Sequence, residues 1–108
     1  MSPEIKIRKA CHGDIDILVL NNVGLANETE GLTLDKNMLE KGIKQALERA
    51  ECHYFVSEIA GKVVGQTMIT YEWCDWRNGV IWWMQSVYVI PKHRKQGVFK
   101  SLFKHLKF

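Results

Sequence analysis

The fold is decided by the segment that runs from Trp82 to Phe103, whose sequence is WWMQSVYVIPKHRKQGVFKSLF. An apolar stretch typical of a β-strand leads to Pro91, a basic loop follows, and Gly97 opens an amphipathic helix. The first amide groups of a helix have no acceptor within the helix, and they lie at the positive end of its dipole. Glycine allows close approach to the backbone, and lysine and arginine add positive charge. The segment therefore predicts a cradle for a pyrophosphate group.

The composition is that of a single globular domain over residues 1–108. Hydrophobic residues make up 46% and charged residues 25% of the chain, which is typical of a packed protein. No run of about 18 apolar residues indicates a membrane span, and the first nine residues lack the apolar core of a signal peptide. Cys11, Cys52 and Cys74 form no C-x-x-C pattern, and the histidines have no metal-ligand spacing. We expect a cytoplasmic protein without a bound metal or a membrane partner.

Positive charge is concentrated at the C-terminal end of the sequence. Residues 1–91 carry nine basic and twelve acidic residues, a net charge of −3. The last 17 residues carry +6, from Lys92, Arg94, Lys95, Lys100, Lys104 and Lys107. A basic end favours an anionic partner, and the alternative interpretation is an ordinary solvated helix face. The polar face of the last helix has no side chain suited to reading bases, so we do not expect a nucleic-acid partner.

Hydrophobic periodicity predicts one strand and two helices in the first half of the chain. Alternation around Ile5 and Ile7 predicts a strand over about residues 4–9. A helix is predicted to begin at Gly13-Asp14 and to end between Glu28 and Gly31. Asp35 fits the N-cap of a second helix, whose apolar stripe consists of Leu39, Ile43, Ala46, Leu47 and Ala50.

Three strands are predicted in the second half, over residues 53–60, 63–73 and 80–90. Gly61-Lys62 and Asn78-Gly79 are turn signals that join these strands into an antiparallel meander. Pro91 lacks an amide donor and ends the last strand. The predicted order is β-α-α-β-β-β-α, an α+β domain with a mostly antiparallel sheet flanked by helices.

The segment around Pro91 resembles motif A of the GNAT superfamily of N-acetyltransferases. The family pattern is a strand ending V-x-V-x-P, then [Q/R]-x-x-G-x-[G/A], then a helix. This chain has Val87-Tyr88-Val89-Ile90-Pro91, followed by Arg94-Lys95-Gln96-Gly97-Val98-Phe99. The upstream order of elements is similar to the family as well, which implies a GNAT-like mixed sheet. The resemblance implies an acyl-CoA-dependent N-acetyltransferase that moves an acetyl group from acetyl-CoA to a primary amine of a small molecule or a protein.

The resemblance also assigns residues to an acetyl-CoA site. Val87, Tyr88 and Val89 fall where family members pair strand backbone groups with the pantetheine arm. The backbone amides that hold the pyrophosphate in the family correspond here to Arg94, Lys95, Gln96, Gly97, Val98, Phe99 and Lys100.

Two features depart from the family pattern. Phe99 replaces a small residue, and its place on the apolar stripe of the helix favours core packing, although its ring could instead narrow the cradle. Family members also continue after this helix with further strands and a helix that form the other wall of the cleft. We therefore expect a C-terminally truncated, partial domain with impaired catalysis, or a half-domain completed by a partner chain.

The catalytic residues are not evident from the pattern. Acetyl transfer needs a base for the ammonium and an acid for the leaving thiolate, and many family members carry an acidic residue on the motif A strand. Residues 82–86 include no carboxylate, and Gln85 could orient a water molecule but cannot act as a base. Tyr71 and Glu72 on the preceding strand are weak candidates, and the alternative is that they are ordinary strand residues near a hairpin.

A second hypothesis is a non-catalytic interaction module, or a CoA-binding protein, that dimerises through an exposed sheet edge. Without the other cleft wall, strand 80–90 would be an open edge that invites pairing with another chain. Four tryptophans cluster around the adjacent hairpin, where they could line an acceptor pocket or a dimer face: Trp73, Trp76, Trp82 and Trp83. We expect a homodimer.

Overall fold

The structure is a computed structural model that describes residues 4–106. It contains four strands, β1 (Lys6–Lys9), β2 (Cys52–Ile59), β3 (Lys62–Cys74) and β4 (Gly79–Val89), and three α-helices, α1 (Ile15–Glu30), α2 (Lys36–Glu48) and α3 (Val98–Leu106). Short 3₁₀ turns at His12–Asp14 and Pro91–His93 precede α1 and α3. The predicted order β-α-α-β-β-β-α is confirmed, with strand boundaries that differ from the prediction by one or two residues. Lys107, one of the basic residues at the C-terminal end of the sequence, lies outside the described residues.

The four strands form one sheet in the order β1-β2-β3-β4, and each neighbouring pair is antiparallel. The pairing of β3 with β4 is interrupted by a β-bulge. Gln66 pairs with Tyr88 but Met68 pairs with Gln85, so two residues of β4 lie opposite one residue of β3. Ser86 adopts a left-handed φ of 54° in this bulge. A bulge bends its strand and increases its twist, so β4 changes direction at Ser86.

Helix boundaries follow from side-chain and backbone chemistry. The Asp35 carboxylate accepts hydrogen bonds from the amides of Asn37 at 2.9 Å and Met38 at 3.2 Å, which caps α2 as expected. Gly31 closes α1 with a φ of 64°, a conformation that glycine adopts without strain. Asp14 precedes α1, but its carboxylate binds Arg8 and the Cys11 amide instead of a helix amide.

The helices cover both faces of the sheet. On one face, α1 and α2 enclose a core of Ile15, Leu18, Ile43, Ala46, Tyr54 and Val56. Phe55 lies between two of these strand residues and contacts the His105 ring of α3 at 5.9 Å. Successive strand residues point to opposite faces, so α3 packs on the other side. The packing there is tight, because a Cβ atom placed on Gly65 would lie 2.7 Å from Val98 Cγ1.

The expectation that Phe99 packs in the core is wrong. The buried stripe of α3 consists of Val98, Leu102 and Leu106, whereas Phe99 and Phe103 are 46% and 47% exposed. Their rings stack on each other with centroids 6.3 Å apart. Helix α3 has five large apolar residues, but this helix of nine residues buries only the three that form the narrower stripe facing the sheet.

Candidate functional site

The loop between β4 and α3 is tightly curled. Lys95 and Gly97 both have left-handed φ values, 67° and 82°. The Arg94 amide donates to Pro91 O at 3.3 Å, and the side chains of His93 and Gln96 meet at 2.9 Å. Turns that contain left-handed residues are a common setting for anion binding, because they can leave successive backbone amides without an internal acceptor. The only left-handed residue in this loop without a steric penalty is the glycine.

Helix α3 begins where this loop ends. The Ser101 amide donates to Gly97 O at 2.9 Å, which starts the hydrogen-bond ladder of the helix. By α-helix geometry the amides of Val98, Phe99 and Lys100 have no acceptor inside the helix. These three amides therefore point out of the helix end, next to the curled loop, where the helix dipole favours a negative charge.

Arg94 fastens the loop to its neighbours. Its Nε donates to Val89 O at 2.8 Å, and its Nη2 donates to Glu28 Oε2 at 2.7 Å. The guanidinium carbon also lies 5.2 Å from the ring centre of Tyr88, a cation–π distance. The Glu28 hydrogen bond is the main reason that the pKa of Arg94 is raised. Arg94 thus joins the loop to β4 and α1, and its charge is shared with a carboxylate.

An open groove of about 850 Å³ lies between α1, β4 and the start of α3. We call it the outer groove. It collects every residue that the resemblance assigned to acetyl-CoA except Gln96, whose side chain binds His93 instead. Its lining consists of Leu25, Glu28, Thr29, Val87, Tyr88, Val89, His93, Arg94, Lys95, Gly97, Val98, Phe99 and Lys100.

Helix α1 supplies one wall of the outer groove, and the sequence reasoning did not assign any residue of α1 to the site. Leu25, Glu28 and Thr29 line the groove, and Gly24 sits directly against β4. A Cβ atom at Gly24 would lie 3.0 Å from Tyr88 Oη. The glycine within a helical pattern was the one available signal, since such a residue often marks close packing.

The three catalytic candidates lie outside the outer groove. Gln85 donates its amide to Thr70 Oγ1 at 2.7 Å, and Glu72 accepts a hydrogen bond from Trp83 Nε1 at 2.7 Å. The Tyr71 ring lies between the rings of His53 and Trp82, at 5.3 and 5.2 Å. Each of these side chains is therefore engaged in a contact across the sheet surface.

A buried polar group beside the bulge was missed by the sequence reasoning. Asn22 Nδ2 donates to Leu18 O at 2.8 Å and to Tyr54 Oη at 3.1 Å. Burial raises the pKa of Tyr54, and hydrogen bonds from Asn22 and Ser86 partly oppose that effect. The hydrogen-bond partners of Tyr54 come from elements distant in sequence, which no local pattern reveals.

Two features are absent from residues 4–106. That range holds no cluster of three or more His, Cys, Asp or Glu side chains arranged to bind a metal ion. None of its helices combines the length and apolar character needed to cross a bilayer.

Comparison with protein families identifies the chain. The sequence profile of the acetyltransferase (GNAT) family matches residues 24–107, which include the α1 wall, the bulge and the curled loop. The chain belongs to the GNAT acetyltransferase family. A search of curated proteins found no significant match.

One solved structure supports the same assignment, and two others share the fold. A possible acetyltransferase from Clostridium difficile 630 is 46% identical, with a TM-score of 0.87, and the match covers 94% of this chain and 68% of that one. A predicted acetyltransferase from Clostridium acetobutylicum, described with acetyl-CoA, is 18% identical and has a TM-score of 0.78; the match covers 95% of this chain and 71% of that one. A GNAT family acetyltransferase from Staphylococcus aureus is 19% identical with a TM-score of 0.75, over 97% and 75% of the two chains. The last two show likeness of fold alone.

Proposed function

We propose that this GNAT chain binds acetyl-CoA in the outer groove and transfers its acetyl group to a primary amine. The observation that carries the proposal is that a loop with left-handed Lys95 and Gly97 leads directly into the first turn of α3, whose amides have no acceptor within the helix. A diphosphate needs several amide donors and a positive potential at one place. Lys95 and Lys100, both in the groove lining, supply the potential beside those amides.

The pantetheine arm would run along β4. In the described residues β4 pairs only with β3, so its other edge offers backbone groups to a ligand. The arm is an extended chain with two amides, and it can add to a strand edge as another strand would. Val87 and Val89 line the groove along this path, and the path reaches the bulge at Ser86, where β4 turns.

Transfer requires that the acceptor amine lose a proton before attack and that the thiolate gain one. The sequence of β4 has no carboxylate, and Gln85 and Glu72 are held by Thr70 and Trp83. We therefore assign no general base to β4, and the proposal rests on cofactor binding and on positioning of the amine.

Isothermal titration with acetyl-CoA, CoA and adenosine tests the proposal. We expect binding of acetyl-CoA and CoA, weaker binding or none for adenosine, and a loss of affinity at high salt, because the diphosphate supplies most of the charge contacts. Equal affinity for all three ligands, or no binding of acetyl-CoA, would refute it. Thiol release in the presence of an amine then measures transfer itself.

A second candidate function is a non-catalytic interaction module, or a CoA-binding protein, that forms a homodimer through the exposed edge of β4. It is favoured by the open edge of β4 and by exposed tryptophans on the adjoining hairpin; Trp76 is 95% and Trp73 is 62% exposed. Exposed apolar groups beside an open strand edge favour pairing with another chain. Sedimentation at micromolar concentration tests this second function, and a monomer would count against it.

We propose the reducing cytoplasm as the location of the protein, because the thiols of Cys11, Cys52 and Cys74 are free.

A further inference from the structure

Two further cavities lie in a row beside the outer groove. A middle cavity of about 450 Å³ shares Leu25, Thr29 and Val87 with the outer groove. An inner pocket of about 300 Å³ lies beyond it, and the two share Asn22 and Ser86. Each cavity shares lining residues with the next, so the three are neighbours, and we call this row of cavities the trough. The trough follows α1 from the curled loop at α3 to the inward face of α2.

The middle cavity and the inner pocket meet at the bulge of β4. Ser86 is held there in a left-handed conformation, and its carbonyl oxygen accepts a hydrogen bond from Gln66 Nε2 at 3.0 Å. Asn22 and Tyr54 approach from the other side and are hydrogen-bonded to each other. The junction is thus built from polar groups that are already positioned before a ligand enters, which lowers the entropic cost of binding.

The charged groups change along the trough. The outer groove carries Lys95 and Lys100 in addition to the Arg94–Glu28 pair. Glu30 is the one charged residue that lines the middle cavity. An ammonium group is therefore favoured in the middle cavity and disfavoured toward the lysines of the outer groove.

The inner pocket has a different chemistry. No carboxylate lines it, and its one charged lining residue, Arg49, binds Glu51 at the surface. The remainder is mainly apolar and comes from α2 and the sheet: Leu39, Ile43, Ala46, Cys52 and Met68, together with the ring of Tyr54. Its volume is at the lower end of the range for small-molecule pockets, about 300–1,000 Å³. A second ammonium would find no counter-ion here, whereas an uncharged apolar group would be desolvated favourably.

We propose that the inner pocket selects the acceptor, which is a primary monoamine bearing a compact, uncharged apolar group such as a phenyl ring or a branched alkyl chain. The apolar group occupies the inner pocket and the nitrogen lies in the middle cavity between Ser86 and Glu30. This inference rests on the proposed acetyl-CoA function, because the trough places the nitrogen next to the end of the pantetheine path.

The reaction at that point is balanced without another reactant. The alkylammonium releases one proton, its nitrogen attacks the thioester carbonyl carbon, and a C–N bond forms as the C–S bond breaks. The nitrogen releases a second proton, and the departing thiolate takes up one. The products are the N-acetylamine, CoA with a free thiol, and one proton in solution.

The test compares phenethylamine with putrescine and ethanolamine. Saturation-transfer NMR measures amine binding to the chain with and without excess CoA, and thiol release from acetyl-CoA measures turnover. We expect phenethylamine to bind at least tenfold more tightly than putrescine or ethanolamine, and to be the preferred acceptor. Putrescine binding as tightly as phenethylamine would overturn the inference.

The Gly42→Leu variant tests the location of the site. Gly42 lines the inner pocket on α2, and a Cβ atom there meets no atom within 4 Å, so leucine can be added without a clash at its first carbon. We expect at least a tenfold loss of phenethylamine affinity with the acetyl-CoA affinity changed less than twofold. Lys41→Leu, which adds the same side chain to an exposed neighbouring position of α2, should leave both affinities unchanged. Unchanged phenethylamine binding in folded Gly42→Leu would overturn the inference.

A second variant enlarges the pocket in case Gly42→Leu does not fold. Met68→Ala removes a large side chain from the lining of the inner pocket. We expect the acceptor preference to shift from phenethylamine to the bulkier 2-(1-naphthyl)ethylamine. No shift would overturn the inference. If the chain binds acetyl-CoA but shows no selective amine binding, the inner pocket is not the acceptor site, and the proposed function stands. Selective amine binding that Gly42→Leu abolishes, without any acetyl-CoA binding, would refute the proposed function while supporting the assigned ligand class.

Discussion

Arg94 and Glu28 are separated by 66 residues in the sequence, and their side chains meet at 2.7 Å at the rim of the outer groove. The same guanidinium donates to Val89 O at 2.8 Å. The contact holds the curled loop against both α1 and β4. It also places a carboxylate beside the position proposed for the diphosphate, so the cationic charge of Arg94 is partly neutralised before any ligand binds.

Glu28→Gln should therefore strengthen acetyl-CoA binding. The substitution keeps the shape of the side chain and a hydrogen-bond acceptor for Arg94, but it removes a negative charge that repels phosphates. We expect a dissociation constant about two- to fivefold lower at low ionic strength, and a smaller gain at high salt because exposed charges are screened. Isothermal titration at two salt concentrations measures both effects.

Glu48→Gln is the matched control, since Glu48 is an exposed residue at the end of α2 and does not line the groove. It should leave the acetyl-CoA affinity unchanged. Weaker binding in Glu28→Gln would mean that the carboxylate is needed chiefly to hold the loop in its bound shape.

Gly97→Ala should weaken acetyl-CoA binding at least threefold. In the protein without a ligand, a Cβ atom at Gly97 would have no neighbouring atom within 4 Å. The φ of 82° is nevertheless unfavourable for alanine. The left-handed conformation costs a non-glycine residue roughly 1–2 kcal/mol, so the loop relaxes away from the shape that aligns its amides. The expected loss therefore comes from backbone strain in the loop as well as from crowding of the ligand.

The Gly31→Ala variant distinguishes the stability cost of backbone strain from an effect on acetyl-CoA binding. Gly31 also has a left-handed φ, 64°, with open space around it, but it lies at the end of α1 outside the groove lining. Both variants should lose about 1 kcal/mol of unfolding free energy in urea titrations. Only Gly97→Ala should lose ligand affinity, and an equal loss of affinity in Gly31→Ala would contradict this account.

The order of the elements could be predicted from the sequence because each had a local signal. Asp35 caps α2 through two amides, Asn78 carries the positive φ of 50° that its turn requires, and Pro91 follows the end of β4. Phe99 was misplaced because periodicity identifies an apolar side of a helix without fixing how wide a stripe the sheet covers. A short helix at the margin of a sheet leaves the outer part of that side exposed.

The candidate site was predictable only where it is continuous in sequence. The loop from Arg94 to Gly97 and its helix form one uninterrupted motif, so this segment could be recognised from the sequence as a candidate amide cradle. Asn22 and Tyr54 are 32 positions apart in the sequence, and the α1 wall meets the curled loop through Glu28 and Arg94, which are 66 positions apart. Their proximity depends on tertiary packing of α1 across the sheet, and no spacing rule within one element contains that information.

Gly65→Ala should destabilise the packing of α3 on the sheet. An added Cβ would lie 2.5 Å from Ser57 Oγ and 2.7 Å from Val98 Cγ1, and both neighbours are fully or almost fully buried. Overpacking of this kind typically costs about 1–3 kcal/mol. Urea unfolding followed by circular dichroism measures the loss. Gly13→Ala is the control, because its added Cβ would have an ordinary contact of 3.7 Å with Cys11 Sγ, and it should change the unfolding free energy much less.

Acid should destabilise the protein through Asp14. The Asp14 carboxylate is almost completely buried, and the hydrogen bonds from Arg8 lower the pKa of Asp14 below its ordinary value. A lowered carboxylate pKa adds stability that is fully present above the unfolded value of about 3.9 and is lost as the pH falls through the folded value. The unfolding free energy should thus decline below about pH 4.

The Asp14→Asn variant should have a lower unfolding free energy than the parent at pH 7. Its unfolding free energy should fall less steeply in acid, because the asparagine side chain cannot be protonated in this range. Asp16→Asn, at an exposed neighbouring position, should retain the decline of the parent, and an equally steep decline in Asp14→Asn would exclude this carboxylate as its source.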